Sequence, residues 1–385
     1  MTAVSADLLD RVRLSLADED CDLTPASVAA ALRSEGHLLG DAHILDVVDA
    51  LRTSMLGAGP LDAVLAEPGV TDVVVNGPDA VFADRGNGLE TTAIRFADDG
   101  EVRRLAQRLA ASGGRRLDDA SPFVDVRLRD GSRFHAVLAP VARPGTVLSL
   151  RIPARRAFTM EQLLACGTLT ETGSRLLTDL VASRRAFLVT GGTGSGKTTL
   201  LAGLLGLVDK RERLVVVEDA SELRPDHPHV VGLEGRPANV EGAGAITVRD
   251  LVRQALRMRP DRLIVGEVRG AEVVDLLAAL NTGHDGGCGT LHANSAADVP
   301  ARMEALGVAA GLSRDAVHSQ LASAVQVVVH IARPPRGQRF VSEIAVLAAG
   351  PSGLVGCRSG VSFDPSGAAR SGPGADRLEQ LLSSA

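Results

Sequence analysis

The sequence predicts an α/β protein in which a parallel sheet covered by helices follows a smaller α+β domain and a helical lead-in. Strand-like and helix-like segments alternate between residues 161 and 348, a pattern typical of parallel sheets. The preceding region instead carries Asp130-Gly131 between two strand patterns, which indicates an antiparallel hairpin. With 385 residues, 45% of them apolar and 23% charged, the chain has the composition of a folded protein of about two domains.

The first part of the chain divides into two predicted regions. Residues 1–56 are expected to be a helical N-terminal segment, because Thr24-Pro25 provides a helix cap followed by a proline at the first helical position. Residues 57–152 are expected to form the α+β domain. This domain contains a strand at Asp72–Asn76 and a helix at Glu101–Ala111 that has one apolar face.

The second part begins with a predicted linker at residues 153–160, followed by the α/β domain at residues 161–348. After residue 348 the sequence becomes rich in Gly, Ser and Pro. We therefore expect residues 349–385 to be a flexible C-terminal tail.

The charge and the aromatic content argue against nucleic acid as a partner. The formal net charge is −6, the aromatic fraction is 2%, and the chain has no Trp and no Tyr. The chain has no bulk positive charge and little aromatic material for base stacking with which to hold DNA or RNA, although a local basic groove remains open.

The cysteines and the hydropathy pattern bear on location. The four cysteines, Cys21, Cys166, Cys288 and Cys357, form no close pair, so we expect neither a cysteine zinc site nor a disulfide framework. No apolar run approaches the roughly 18 to 20 residues of a membrane-spanning helix. We expect a cytoplasmic protein that reaches the inner face of the cell membrane only through partners.

One motif predicts a phosphate-binding loop. Residues 191–198 fit the pattern G-x-x-x-x-G-K-[ST], with a strand pattern before them and a helix pattern after them. Glycines let backbone N–H groups converge on phosphate oxygens, and the following helix directs its positive end at the same anion. Lys197 would bridge the β- and γ-phosphates, and the Thr198 hydroxyl would bind Mg²⁺. The predicted phosphate-binding residues are Gly191, Gly192, Thr193, Gly194, Ser195, Gly196, Lys197, Thr198 and Thr199.

Acidic residues follow two apolar strand patterns. Glu218 and Asp219 end the run at 214–219, with Glu222 three residues further on, and Glu267 ends the run at 262–267. Ligands of open α/β sheets bind at the carboxyl ends of the strands, so these carboxylates are candidates for Mg²⁺ binding and for orienting water.

Histidines and arginines complete the set of candidates. His284 and His292 lie in polar, glycine-rich surroundings, but no metal-ligand spacing links them, so zinc is not proposed. Arg127, Arg133 and Arg151 of the first domain could stabilise charge on a transferring phosphate. From spacing alone, a structural role for either histidine and a surface role for each arginine remain open.

In their order along the chain, four motifs resemble those of the secretion and pilus-assembly traffic ATPases, and most closely the CpaF/TadA-type branch that serves tight-adherence pili. They are the phosphate loop at 191–198, an Asp box at 217–223, an atypical Walker B motif ending at 266–270, and a His box at 284–294. The resemblance covers about residues 56–345, and the first-domain run Asp72–Pro78 belongs to it.

The resemblance implies a RecA-like ATPase domain in a homohexameric ring that hydrolyses ATP with Mg²⁺. It implies that Glu267 activates the attacking water, that Glu222 assists at the metal and the water, and that Thr198, Glu222 and Glu267 hold the Mg²⁺. His292, with His284 as a further candidate, would sense the γ-phosphate. Arg127, Arg133 and Arg151 would reach the phosphates from the N-terminal domain.

The same resemblance implies that the partners are inner-membrane platform proteins and that the cargo is pilin. Two other classes of protein remain open. A RecA-like helicase or DNA-transfer motor would show salt-dependent binding of DNA. A nucleotide-gated binding module would lack turnover, although Lys197, Thr198, Glu222 and Glu267 are all present.

Overall fold

The structure, a computed structural model, divides into two compact units, Met1–Ala154 and Arg155–Ala385. Each unit has hydrophobic core residues of its own. The residues that the structure describes are 25–34, 44, 47, 57–86, 88–128, 130–152, 157–236, 238, 243–334 and 337–383.

Unit 1 is built on a six-stranded antiparallel sheet with the strand order β3-β2-β1-β6-β5-β4. Its helices are α1 (Pro25–Ser34), the single turn α2 (Asp62–Leu65) and α3 (Asp99–Ser112). Its strands are β1 (Asp72–Asn76), β2 (Val81–Asp84), β3 (Leu89–Thr91), β4 (Phe123–Arg127), β5 (Arg133–Val137) and β6 (Val147–Arg151).

The local sequence accounts for these elements. The Asp98 side chain caps α3 by accepting a hydrogen bond from the N–H of Glu101, and the apolar face of the helix is buried. The hairpin between β4 and β5 turns at Gly131, whose φ of +89° suits glycine. The predicted helix and hairpin are therefore confirmed. Of the predicted N-terminal segment, the helix at 25–34 is seen, and most of residues 1–56 lie outside the described residues.

Unit 2 is built on a nine-stranded sheet with the order β15-β14-β13-β12-β7-β11-β10-β8-β9. From β12 to β9 neighbouring strands are parallel, and β13, β14 and β15 extend the sheet in antiparallel fashion. The strands are β7 (Phe187–Gly191), β8 (Leu214–Glu218), β9 (Val230–Glu234), β10 (Arg262–Val268), β11 (Cys288–His292), β12 (Val327–Ala332), β13 (Phe340–Ala349), β14 (Val355–Phe363) and β15 (Ala369–Ser371).

Helices cover both faces of this sheet. Successive residues of β7 contribute to different cores: Phe187 and Val189 to one, and Leu188 to the other. This alternation explains why the parallel strands read as continuous apolar runs. The helices are α4 (Met160–Ala165), α5 (Glu171–Ala182), α6 (Lys197–Leu205), α7 (Val248–Ala255), α8 (Glu272–Leu280), α9 (Val299–Ala309), α10 (Arg314–Ala324) and α11 (Ala375–Ser383). The predicted mixed α/β architecture is confirmed.

The predicted linker at 153–160 is only partly described. Residues 153–156 lie outside the described residues, and Thr159 already caps α4, which begins at Met160.

The prediction of a flexible tail at 349–385 is wrong for the segment Val355–Ser383. Seven of the nine residues of β14 pair in register with β13, and α11 packs on β14 with Leu378 only 2% exposed. A Cβ on Gly360 would lie 2.8 Å from Cδ2 of Leu378, so glycine permits this close contact. The small residues that suggested flexibility serve packing here, which composition alone does not reveal.

No helix within the described ranges is long and apolar enough to cross a membrane.

Candidate active site

The phosphate loop, residues 191–198, joins the central strand β7 to helix α6. All five residues of β7 are buried, and α6 begins at Lys197 with Gly196 as its N-cap. The φ of Gly196 is +99°, a conformation that residues with a side chain rarely adopt. The nine-residue helix therefore directs its free N–H groups, and the positive end of its dipole, at the loop.

The phosphate loop packs closely against β12 and contains a buried hydroxyl group. A Cβ on Gly191 would lie 2.4 Å from the carbonyl oxygen of Ile331, so only glycine fits at this position. Ser195 is 1% exposed, and its Oγ is buried without a hydrogen-bond partner among the described residues. A buried hydroxyl in this state is stabilised by an acceptor such as a phosphate oxygen.

The side chain of Lys197 folds back onto the start of the phosphate loop. Its Nζ donates hydrogen bonds to the carbonyl oxygens of Gly191, at 3.2 Å, and Gly192, at 3.0 Å. The same Nζ lies 3.3 Å from Nδ1 and 3.4 Å from Nε2 of His292. The ammonium group is thus held in the loop, beside the last residue of β11.

Glu267 lies beside His292 at the carboxyl end of β10. Its Oε1 lies 2.7 Å from Nε2 of His292 without an aligned hydrogen bond, and its Oε2 accepts a hydrogen bond from the guanidinium of Arg269. Burial opposes ionisation, but the Arg269 hydrogen bond and the charges of Arg269, His292 and Lys197 hold the pKa of Glu267 below its ordinary value. Glu267 is therefore an ionised carboxylate at neutral pH.

His292 is neutral at neutral pH. Burial and the nearby charge of Lys197 lower its pKa, and the carboxylate of Glu267 opposes them only in part. A neutral imidazole retains one nitrogen that accepts and one that donates hydrogen bonds. Lys197, Glu267, Arg269 and His292 are referred to below as the catalytic cluster.

The second acidic segment is organised by Glu218 at the end of β8. Its Oε1 accepts backbone hydrogen bonds from Glu222, at 3.1 Å, and Leu223, at 3.0 Å. Burial raises the pKa of Glu218 to about 7, although these two hydrogen bonds oppose the shift. The side chain lies against Gly266, where a Cβ would be 2.4 Å from Cγ of Glu218. Glu218 thus fixes the turn that carries Glu222, a role that the sequence pattern did not reveal.

The structure separates the two candidate histidines. His292 ends β11 and pairs in register with Gly191, whereas His284 precedes the start of β11 and contacts the carbonyl oxygen of Ala279 through Nδ1. The five residues of β11 place them near opposite ends of the strand. His284 therefore does not join the catalytic cluster.

The three candidate arginines of unit 1 form one row across its sheet. Arg127 pairs in register with Arg133, and Arg133 pairs with Arg151. The row continues on β1 with Asp72, and Arg133 also donates to Asp125 through Nε at 3.0 Å. Directly opposed residues point to the same face, so three guanidinium groups share one end of this sheet.

A cavity of about 330 Å³ opens beside the phosphate loop. Four of its residues, Ala293, Asn294, Asp298 and Arg302, were not predicted as site residues; Asp298 and Arg302 are one helical turn apart at the start of α9. Ala293 and Asn294 are the last two residues of the His box, and no motif marks the other two. The lining residues are Gly192, Thr193, His292, Ala293, Asn294, Asp298 and Arg302.

Comparison with known proteins identifies the family. The sequence profile described as Type II/IV secretion system protein matches residues 55–363. The chain belongs to this family. The resemblance seen in the four motifs is thereby confirmed for the type II/IV secretion ATPase superfamily, whereas the tight-adherence branch stays a prediction.

Similar members of the family carry names from secretion and conjugation. The chain is 58% identical over 316 residues to the putative conjugal transfer protein Rv3659c of Mycobacterium tuberculosis H37Rv, covering 80% of this chain and 90% of that protein. It is 34% identical over 256 residues to the type IV secretion system protein PtlH of Bordetella pertussis, covering 60% and 75%. The crystal structure of the pilus retraction motor PilT with bound ADP shares the fold, with a TM-score of 0.53, 21% identity, and coverage of 74% and 81%.

The side chains predicted to hold Mg²⁺ have donor atoms that suit this ion. Thr198, Glu222 and Glu267 offer the oxygen ligands that Mg²⁺ prefers. No group of three or more His, Cys, Asp or Glu able to hold a metal occurs in the described part of the chain. Thr198, Glu222 and Glu267 suit a Mg²⁺ ion that arrives with a nucleotide, since such ions bind through one or two protein groups, substrate phosphates and waters.

Proposed function

We propose that this protein is an ATPase that hydrolyses ATP at the phosphate loop to drive a type II/IV secretion or pilus-assembly machine. The observation that carries the proposal is the catalytic cluster, which places an ionised carboxylate and a neutral imidazole beside the loop lysine. A phosphate-binding loop alone would suit any nucleotide-binding protein. A carboxylate at the γ-phosphate end adds the means to orient water.

In the proposed mechanism the loop N–H groups and Lys197 hold the β- and γ-phosphates. Thr198, with Glu222 and Glu267, would hold a Mg²⁺ ion, which would neutralise phosphate charge when bound. Glu267 accepts a hydrogen bond from the attacking water and takes its proton as the water attacks the γ-phosphorus in line with the leaving oxygen. His292 lies between Glu267 and Lys197 and senses the γ-phosphate. Rate enhancement then arises from positioning and charge complementarity.

The arginine row of unit 1 is proposed to complete the site. Arg127, Arg133 and Arg151 are direct cross-strand neighbours, so their guanidinium groups concentrate positive charge at one end of the sheet, although Arg133 also pairs with Asp125. A triphosphate is an anion that such a group of arginines can bind, because arginine forms bidentate hydrogen bonds with phosphate oxygens.

The proposal includes a RecA-like fold for unit 2 and a homohexameric ring at the inner face of the cell membrane, acting on inner-membrane platform proteins. Motion of one domain against the other would be its output, and pilin its cargo. The names of PilT and PtlH, a pilus motor and a secretion protein, support the proposed role in secretion or pilus assembly.

One observation favours a second candidate, a motor for conjugal DNA transfer. Rv3659c carries the name of a putative conjugal transfer protein. The net charge of −6 and the absence of Trp and Tyr disfavour direct DNA binding by this chain.

The proposal is tested by phosphate release from ATP in the purified full chain, with and without Mg²⁺. We expect slow turnover that requires Mg²⁺ and increases on assembly or with membrane components. Stimulation by DNA that disappears with added salt would favour the second candidate. A purified oligomer without turnover, even with membrane components supplied, would exclude the ATPase.

A further inference from the structure

A buried histidine outside the catalytic cluster links β12 to the phosphate-loop strand β7 and to the segment that follows β11. His330 lies on β12 and is 7% exposed, and its Nδ1 is 2.9 Å from Oγ1 of Thr190. Thr190 is fully buried and immediately precedes the loop. The imidazole also hydrogen-bonds the backbone of Asn294, which lines the cavity two residues after His292.

The register makes this connection specific. His330 is the parallel partner of Thr190, and Thr190 is in turn the partner of Leu291 on β11, on the other side of β7. The ring therefore spans the phosphate-loop strand and contacts the segment that follows β11. Through this ring, β12 contacts both β7 and the segment after β11 at the carboxyl end of the sheet, where the phosphate loop begins.

The directions of the two hydrogen bonds follow from charge. Burial lowers the pKa of His330; Glu343, the Asn294 backbone and Asp298 oppose the shift, and Lys197 adds to it. The ring is thus neutral at pH 7, with one donor and one acceptor nitrogen. Because the Asn294 bond favours the protonated ring, the imidazole donates to the Asn294 carbonyl oxygen. Nδ1 consequently accepts the Thr190 hydroxyl hydrogen bond.

We propose that His330 is a positioning residue for ATP hydrolysis, which holds the His292–Asn294 segment in register with the phosphate loop through Thr190. The inference rests on the proposed ATPase function. His292 contacts both Lys197 and Glu267, so a displacement of its segment would change the γ-phosphate end of the site and leave the loop N–H groups in place. Loss of the connection should therefore affect turnover more than nucleotide binding.

The experiment compares Thr190→Val, which removes the hydroxyl at nearly constant shape, with Thr190→Ser, which keeps it. We expect Thr190→Val and His330→Leu to lower kcat on the order of fivefold, the effect of one hydrogen bond of about 1 kcal/mol, with KM and analogue affinity within about twofold. Thr190→Ser and His330→Gln, which retain donor and acceptor groups, should recover most of kcat.

A matched control separates positioning from general stability. Thr146 of unit 1 is fully buried and donates to Asp99 at 3.0 Å, so Thr146→Val makes the same chemical change away from the phosphate loop. It should lower the melting temperature without lowering kcat. If Thr190→Val also lowers only the melting temperature, or raises KM at unchanged kcat, the positioning role is wrong.

A second readout does not depend on turnover. The chain has no Trp, so Ala297→Trp places a single exposed reporter beside the cavity segment. We expect the emission change caused by a non-hydrolysable ATP analogue to persist with Thr190→Ser and to diminish with Thr190→Val. An equal change in both variants would overturn the inference. Absence of turnover in the unsubstituted protein would instead count against the proposed function.

Discussion

Nε2 of His292 lies 2.7 Å from Oε1 of Glu267, which joins the carboxyl ends of β11 and β10 directly beside the phosphate-loop lysine. The contact assembles a lysine, a histidine and a glutamate from three separate parts of the chain. Glu267 stays ionised chiefly because the hydrogen bond from Arg269, together with the nearby positive charges, outweighs the effect of burial on its pKa.

Replacement of Glu267 tests the water-activating role. Glu267→Gln keeps the shape but removes the proton acceptor, so we expect kcat to fall by roughly 10² or more while ATP still binds. Phosphate release and the affinity for a fluorescent ATP analogue measure the two effects. Glu379→Gln, an exposed change on α11, should leave both unchanged. Unaltered turnover in Glu267→Gln would remove this residue from the mechanism.

Replacement of Lys197 tests the phosphate loop. Lys197→Ala removes the ammonium group that lies over the loop carbonyls, so we expect loss of ATP binding by at least about tenfold. The other lysine of the chain, Lys210, is exposed, and Lys210→Ala is a matched control. Equilibrium binding of ATP measures the effect. Near-normal affinity for ATP in Lys197→Ala would contradict the proposed role of the phosphate loop.

Glu218 should give the stability a dependence on pH. Burial raises its pKa in the folded protein to about 7, against an ordinary value of 4.5. As the pH rises, Glu218 therefore loses its proton at a lower pH in the unfolded chain than in the folded protein. Its contribution to the free energy of unfolding is fully present below pH 4.5 and is lost as the pH rises through 7. Glu218→Gln cannot ionise, and its carbonyl can still accept the two backbone hydrogen bonds.

We accordingly expect Glu218→Gln to be more stable than the unsubstituted protein at pH 8, on the order of 1–3 kcal/mol, and close to it at pH 5. Denaturant unfolding at the two pH values measures the difference. A difference independent of pH would show that Glu218 is ionised in the folded protein.

The arginine row gives a further test of the proposed site. If Arg127, Arg133 and Arg151 reach the phosphates, single changes to Gln should lower kcat/KM by roughly 10² or more, as expected for arginines that stabilise a transferring phosphate. Arg103→Gln, which breaks only an exposed ion pair with Asp119, is the matched control. Activity equal to that control in all three variants would place the row outside the site.

The C-terminal segment should contribute to stability. Leu378 of α11 is 2% exposed, so Leu378→Ala should cost about 2–5 kcal/mol of unfolding free energy. Glu379→Ala, at the adjacent exposed position, should cost little. Thermal and denaturant unfolding compare the two, and equal stability of both variants would indicate that α11 does not pack as described.

The regular elements and the phosphate loop could be predicted because their signals are local. Strand β7, the glycines and Lys197 are contiguous, and their spacing alone defines the loop. His284 was harder to place, because a position within a motif does not show which histidine the pairing of β11 with β7 brings to the phosphate loop. Arg302 gave no signal, and the sequence marked Glu218 only as one of several strand-end carboxylates; the positions of both depend on neighbours across the sheet or one helical turn away.

By itself, the sequence determined the α/β alternation, the phosphate loop and membership of the secretion ATPase family, because these depend on short-range periodicity and on motifs in a fixed order. Only the tertiary structure decided that the Gly- and Ser-rich C-terminal segment is packed, that His292 and not His284 meets Glu267, and that His330 joins Thr190. Residues 190 and 330 are 140 positions apart, and their contact exists because β12 returns to lie parallel to β7. Local periodicity specifies the strands, whereas burial of both sheet faces selects which strands become neighbours.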